Sequence, residues 1–464
     1  MTAPSKLTKI LLVVFACLHL AFATSFALET PYRTGGFLYN QRDVEHGGYA
    51  HAPDIGAPDE RQHANYVRYL LKEHALPVLH PGAPDSGEEY ESHQPPLYYA
   101  LTAGVATITG QTDVETGSFG NVARIFNALI GVSGIIGIFF AALWATKRED
   151  VAIVGTAFAA LLPMNCALSG AISNDPLLIS MISWSFAFCA KALGAEEDRD
   201  IKKAMILAAV FAGLSCLTKS TGLISILGLV ATAISLRKQV PMAKVAGWAS
   251  IAFLIALPVW IRNQMIYGDP LAQKVFKEAF TGSAQKPMII ATIEASNAPG
   301  SPEVQYWLNW VGYWAARSYI GVFGYMDIWM NASGKAIRDT DPNWLYKGIL
   351  AFIAVGKLAF LVYLRNKWKE VPRAIWVGLL IAVLTILLFI GFNMTYFQAQ
   401  GRYLLPALAP AAIVLGIGWG MIFRSKLIPA LLVVVLVFGG TSVYALSQLS
   451  SEFAARQSGS LSPR

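Results

Sequence analysis

Charge is scarce in this chain: of 464 residues only 14% are Asp, Glu, Lys or Arg, against 55% hydrophobic. A soluble domain carries about a quarter of its residues charged, so a water-soluble fold is excluded. Cysteine is scarce too. Cys17, Cys166, Cys189 and Cys216 lie in or at the ends of apolar segments without metal-ligand spacing. They read as small core residues, and no disulfide framework is implied. Low-complexity linkers and clear internal repeats are missing, which argues for one continuous domain over residues 1–464. No pair of histidines has the strict HExxH ligand spacing.

What the chain has instead is long apolar runs, with a mean hydropathy of +0.48. A bilayer core takes about 20 apolar residues per helix. Segments 10–28, 122–144, 151–168, 176–193, 204–217, 222–236, 245–261, 345–364, 374–392, 404–423 and 427–446 meet or approach that length. The expected fold is an all-α polytopic membrane bundle of about eleven spans, the fifth and sixth short, with short amphipathic helices at its outer face.

Lys and Arg orient the bundle. Lys6 with Lys9, Lys147 with Arg148, Arg199 with Lys202 and Lys203, Arg237 with Lys238, Arg365 with Lys367 and Lys369, and Arg424 with Lys426 share one side if the spans alternate. The positive-inside tendency makes that side the cytoplasm. The first loop, the Ser173-Asn174-Asp175 turn, the stretch after Arg262, the Gln398 to Tyr403 turn and the C-terminal tail then face outward. The sequence pI of 9.1 thus reflects topology and contact with anionic lipid, and makes no case for nucleic acid. A cleaved signal peptide is the competing reading of the N-terminus. Leu28-Glu29-Thr30 lacks a convincing small-residue cleavage site, and the later spans need a first one that starts inside.

The first outer loop, residues 29–95, holds six of the seven histidines (His46, His51, His63, His74, His80 and His93) and 11 of the 29 acidic residues. With five basic residues, among them Arg42, its net charge is −6 while the whole chain is +7. Titratable groups concentrated this way mark the leading candidate for an active site. Residues 95–110 are apolar but too short to cross, which suits an interfacial or part-way helix. Residues 262–342 form a second outer loop rich in Tyr and Trp, from Tyr306 and Trp307 to Trp329. Plain interfacial anchoring accounts for any single ring there.

Pro58 suits a first helical residue, which places Asp59, His63 and Tyr66 on one face and turns Glu60 elsewhere. A carboxylate there can take a proton from an attacking hydroxyl; the bland account is an acid complementing the helix dipole. Glu91, His93 and Gln94 precede the Pro95-Pro96 helix start, where they could orient a sugar or a metal. The many His and carboxylates permit a divalent cation, of unknown identity and ligands, and a solvated pH-sensitive loop is the alternative. Asn174-Asp175-Pro176 brings a second carboxylate to the outer edge, or simply caps a helix. Lys219, beside Ser220 and Thr221, is expensive at its depth unless it meets an anion such as a lipid phosphate. Arg262 and Arg402 add outward cations, and Arg124 does so unless it snorkels. Carboxylates next to such cations are what transfer from a lipid-phosphate donor requires.

These motifs form an ordered series: Asp59-Glu60, then His93-Gln94-Pro95-Pro96-Leu97-Tyr98-Tyr99, Arg124, Asn174-Asp175, Leu217-Thr218-Lys219, Arg262-Asn263 with Tyr267-Gly268-Asp269-Pro270, Phe323-Gly324, and Gln400-Gly401-Arg402-Tyr403-Leu404-Leu405-Pro406. The series resembles the GT-C superfamily of polyprenyl-phosphate-sugar-dependent glycosyltransferases. Within it, the pattern is similar to bacterial relatives of protein O-mannosyltransferases and to the lipid A aminoarabinose transferase. The resemblance covers most of the chain and is weak for the substrate.

It implies an inverting transfer, metal-independent or metal-assisted, from a polyprenyl-phosphate sugar to a hydroxyl of a protein, lipid A or surface glycan. The setting implied is the periplasmic face of the inner membrane. Asp59 would be the base with Glu60 as fallback; Lys219, Arg262, Arg402 and Arg124 would contact the carrier phosphate. His63, Glu91, His93, Gln94, Tyr98, Asn174, Asp175 and Gln400 would position substrate. The chain departs from larger relatives in ending after its last span, which leaves acceptor recognition to the two outer loops. A transporter or flippase of a lipid-linked sugar is the alternative, and an assembly scaffold a third reading.

Overall fold

The computed structural model describes residues 4–39, 49–297, 299–330 and 344–459. His46, Arg42, and residues 331–342 of the second outer loop lie outside the described residues. The chain is an all-helical, multi-pass integral membrane protein. Among the described residues eight helices are long and apolar enough to cross a bilayer: Lys6–Glu29, Gly117–Thr146, Asp175–Leu193, Met242–Tyr267, Trp344–Lys367, Arg373–Asn393, Gly401–Ile422 and Leu427–Ser458. A ninth is the pair Glu149–Leu161 and Pro163–Ser169, bent by 62°. Its break falls at Leu162, where the following proline disfavours helical backbone.

Against the expected count of about eleven, eight or nine helices pass by length and composition among the described residues. Asp198–Cys216 opens with Asp198, Arg199, Asp200, Lys202 and Lys203, which shortens its apolar part. Leu223–Ser235 has 13 residues, about 20 Å at 1.5 Å per residue, against a core of about 30 Å.

Small residues let the spans approach closely. A Cβ added to Gly155 would lie 2.5 Å from the Ala412 carbonyl oxygen, and one on Gly416 2.4 Å from that of Val151. The Glu149–Leu161 and Leu408–Ile422 helices thus touch backbone to backbone, the packing that membrane interiors favour where hydrophobicity supplies no net drive. Helix starts are capped by sequence: Ser5 Oγ accepts from the Thr8 amide and Thr116 Oγ1 from that of Phe119.

The two ends of the bundle differ. At one end Ser5 donates to Glu149, Arg148 to Ser425 Oγ at 3.0 Å, and Arg373 to the Ser235 carbonyl at 2.8 Å. The Lys and Arg doublets of the short connections gather there. The other end carries the loop helix Glu60–Glu73, the apolar helix Leu97–Thr109, and two small hairpins. One hairpin pairs Gly36–Tyr39 with Tyr49–Ala52, and the other pairs Val322–Phe323 with Ile328–Trp329. Leu97–Thr109, expected as an interfacial or part-way segment, is a 13-residue helix whose first amide is bonded to the Leu217 carbonyl. That contact ties the first loop to the segment that holds Lys219.

Candidate active site

Asp59 and Glu60 are neighbours with opposite fates. The helix begins at Glu60, and Asp59 before it takes a left-handed conformation, φ 64° and ψ −5°. The expectation that Pro58 starts the helix is corrected by this turn, which aspartate tolerates better than most residues. The turn sends the two carboxylates apart. Glu60, 2% exposed, receives Arg124 Nε at 2.7 Å and Nη2 at 2.5 Å, and the Ile172 amide at 2.8 Å. Arg124 also donates to the carbonyls of Ala27, Thr30 and Pro31, satisfying the open C-terminal end of the first span. Fallback base and phosphate contact were the expected roles, but this pair is a buried staple and neither residue lines the cavity described next.

Asp59 turns into a cavity of about 520 Å³. Of the residues singled out in the sequence, His63, Glu91, His93, Gln94, Asp175, Lys219, Gln400 and Arg402 line it as well. Arg402 Nη2 donates to Asp59 Oδ2, and Lys219 Nζ donates to Asp175 Oδ1 at 2.6 Å. Both cations also lie over the Tyr403 ring, Arg402 at 5.2 Å and Lys219 at 5.9 Å from its centre. Burial pushes the Asp59 carboxyl up, but the Arg402 charge, with Tyr90 and His63, outweighs it and holds the acid below its usual range. The Arg402 Nε, Thr221 Oγ1 and Gln400 Oε1 atoms are buried at this cavity with no hydrogen-bond partner among the described residues. Buried polar atoms of this kind take their hydrogen bonds from water or from a bound ligand.

A set of hydrogen bonds backs the acids. His63 Nδ1 is 2.9 Å from Tyr99 Oη, which donates to Glu91 Oε2 at 3.4 Å. Asn174 Nδ2 donates to the same Tyr99 oxygen at 3.4 Å. Asn174 does not reach the cavity and acts on it through Tyr99. Tyr98, fully buried, is likewise behind the wall, its ring centre 6.4 Å from that of His63. His93 Nδ1 lies 2.5 Å from the Tyr90 carbonyl. Burial pulls the His93 imidazole below its ordinary value.

Arg262 departs from expectation. It donates to the carbonyls of Pro77 at 2.6 Å and Leu76 at 3.4 Å and is absent from the cavity lining. Its work is to pin the first loop to the end of the Met242–Tyr267 span. Tyr90, Phe276, Phe280, Phe389 and Phe392, which belong to no motif, line the cavity with Tyr403, a motif residue to which the sequence assigns no role. Phe276 and Phe280 are four residues apart and stack at 4.8 Å, a spacing visible in the sequence. Their partners Phe392 and Tyr396 come from a span more than a hundred positions away.

The cavity therefore has two parts. Acids, cations and imidazoles occupy one end. Leu178, Ile224, Phe276, Phe280, Leu388, Phe389 and Phe392 wall the other, and Leu388 is also part of the exposed apolar face of its span. For the divalent cation that the histidines permitted, no group of three or more His, Cys, Asp or Glu is placed to hold a metal among the described residues.

The fold is GT-C-like, as the motif series implied. Residues 93–267 match the model of the dolichyl-phosphate-mannose-protein mannosyltransferase family. No curated protein matches the chain by sequence. Among solved structures, the chain is similar to the oligosaccharyltransferase of Archaeoglobus fulgidus in its apo form, with a TM-score of 0.57 and 14% identity, covering 96% of this chain and 56% of that one. It is also similar to ArnT from Cupriavidus metallidurans bound to undecaprenyl phosphate, with a TM-score of 0.50 and 15% identity, covering 96% of this chain and 76% of that one. The chain spans little more than half the length of the archaeal oligosaccharyltransferase.

Proposed function

We propose that this protein is a glycosyltransferase that moves one sugar from a polyprenyl-phosphate carrier to a hydroxyl acceptor, with inversion at the sugar carbon. The observation that carries the reading is the cavity itself, where two acids paired with two cations meet a wall of aromatic and aliphatic side chains that reaches the apolar surface. A carrier lipid fits that division, with its isoprenoid against Ile224, Phe389 and Phe392 and its phosphate between Lys219 and Arg402. Binding of undecaprenyl phosphate by the similarly folded ArnT and the mannosyltransferase family match support this assignment.

In the reading, phosphate draws Arg402 away from Asp59 and uses its open Nε. The freed carboxylate takes the proton of the acceptor hydroxyl as that oxygen bonds the sugar carbon. The carbon–phosphate oxygen bond breaks on the opposite face, and its electron pair leaves on the phosphate. Lys219 and Arg402 steady the departing charge, so the reading asks for no resident metal ion. The acceptor is a protein, lipid A or another surface glycan. The face is the one opposite the Lys and Arg doublets, which in a bacterial inner membrane is the periplasmic side. Transport of the lipid-linked sugar fits less well, because transporters place their polar sites near the midplane and these groups gather at one end.

The test is Asp59→Asn in reconstituted protein supplied with a polyprenyl-phosphate sugar. Transfer is expected to fall at least about a hundredfold with membrane insertion and unfolding midpoint unchanged. Full activity in that variant overturns the reading.

A further inference from the structure

The cavity holds a group whose position the transfer step leaves unused. His63 lies one helical turn after Asp59 on the same face, and its ring is nearly enclosed, 4% exposed. Tyr99 Oη lies 2.9 Å from His63 Nδ1, donates to Glu91 Oε2 at 3.4 Å and accepts from Asn174 at 3.4 Å. In the tautomer that carries its proton on Nδ1, Nε2 keeps a lone pair, and His63 lines the cavity. Tyr99 is itself clamped, since the Tyr66 ring stacks on it at 3.7 Å with 5° between planes. Glu91 Oε2 lies 3.9 Å from His63 Nδ1, close enough to steady an imidazolium.

The groups facing the ring are Asp59 from its own turn, Tyr99 from the Leu97–Thr109 helix, Glu91 and His93 from the short turn between them, Asp175 from the start of the Asp175–Leu193 span, and Arg402 across the cavity. Three carboxylates, Asp59, Glu91 and Asp175, line the cavity with three cations, Lys219, Lys277 and Arg402.

We infer that His63 Nε2 receives from Asp59 the proton released in glycosyl transfer and passes it on to water. This rests on the glycosyltransferase reading. The acceptor O–H bond breaks as oxygen bonds the sugar carbon, the proton lands on Asp59, and it then passes to His63 Nε2. The resulting imidazolium is held by Glu91 through Tyr99, and Asp59 returns to its pair with Arg402 once the carrier phosphate leaves. The return of Arg402 to Asp59 favours the ionised carboxylate and so drives the proton on to His63.

The experiment is His63→Ala in reconstituted protein, assayed with a polyprenyl-phosphate sugar with and without added imidazole. Turnover is expected to fall about tenfold or more with donor KM changed less than about twofold, and imidazole is expected to restore most of the loss. His63→Gln, whose amide fills the space but has no basic nitrogen, is expected to fall equally and to gain nothing from imidazole. Turnover of His63→Ala within about twofold of wild type overturns the inference. A loss that imidazole does not relieve, in protein with an unchanged unfolding midpoint, also overturns it. If His63→Ala does not fold, Tyr99→Phe keeps the imidazole but removes the hydroxyl beside Nδ1. A lowered turnover at constant donor KM is expected there, and an unchanged one overturns the inference. Asp59→Asn run alongside separates the two ideas: an inactive Asp59→Asn beside a fully active His63→Ala removes only the proton route, whereas an active Asp59→Asn removes the reading beneath it.

Discussion

Arg124 grips Glu60 with two prongs, at 2.7 and 2.5 Å, in a site where both side chains are 2% exposed. The neighbouring Asp59 has its own cation in Arg402 but remains a quarter exposed, toward the cavity. Of two adjacent acids, one is spent on holding the first span to the loop and the other is open to a substrate.

This division predicts two distinct failures. Glu60→Gln leaves Arg124 buried without its counter-charge, a loss of roughly 3–5 kcal/mol. Its unfolding midpoint in detergent is expected to drop sharply, with activity per folded molecule largely retained. A Glu60→Gln protein of wild-type stability and no activity would reassign the base to residue 60.

The Lys219–Asp175 pair predicts a separation of stability from donor binding. Lys219→Met strands a buried carboxylate and is expected to lower stability by several kcal/mol. The double variant Lys219→Met with Asp175→Asn removes both charges and is expected to recover most of that stability. Donor KM is expected to stay raised at least about tenfold in both proteins, because the phosphate has lost a cation. Recovery of donor KM in the double variant would mean that Lys219 serves only Asp175.

Asp54 predicts a pH dependence of stability. Burial pushes its carboxyl up to about 6, against the Gly56 amide that donates to Oδ1 at 2.9 Å. A folded value above the unfolded one gives stability that is full below the ordinary carboxylate range and lost as pH rises through about 6. Asp54→Asn keeps a neutral acceptor for Gly56 at every pH. Relative to wild type, its stability is expected to be matched near pH 4 and greater at pH 8, by up to roughly 3 kcal/mol. Equal stability curves across that range count against a buried ionisation.

The sequence showed the kind of fold and the ends of most spans because bilayer thickness imposes a length that hydropathy reads directly. Its count exceeds the helices that pass by length and composition where charge or brevity interrupts a run, at Asp198–Cys216 and Leu223–Ser235. For the site, depth and sidedness are written in the chain, so Asp59, Asp175, Lys219 and Arg402 could be picked out as outer groups that need partners. Which partner each one finds is a matter of tertiary packing. Arg124 and Arg262 carry the same outward signal as Arg402, yet they bond Glu60 and the carbonyls of Leu76 and Pro77. Nothing local marks the difference. The aromatic wall was missed for the same reason, since Phe276 and Phe392 become neighbours only when the outer loop folds back over its span.

The left-handed turn at residue 59 also governs how that codon can be edited. Asparagine and glycine adopt φ 64° readily, whereas valine or isoleucine there would strain the backbone by a kilocalorie or more. Failed complementation by a branched allele therefore reports a distorted chain, and failure of the amide isostere reports lost proton chemistry. Paired alleles at one codon thus tell shape from charge.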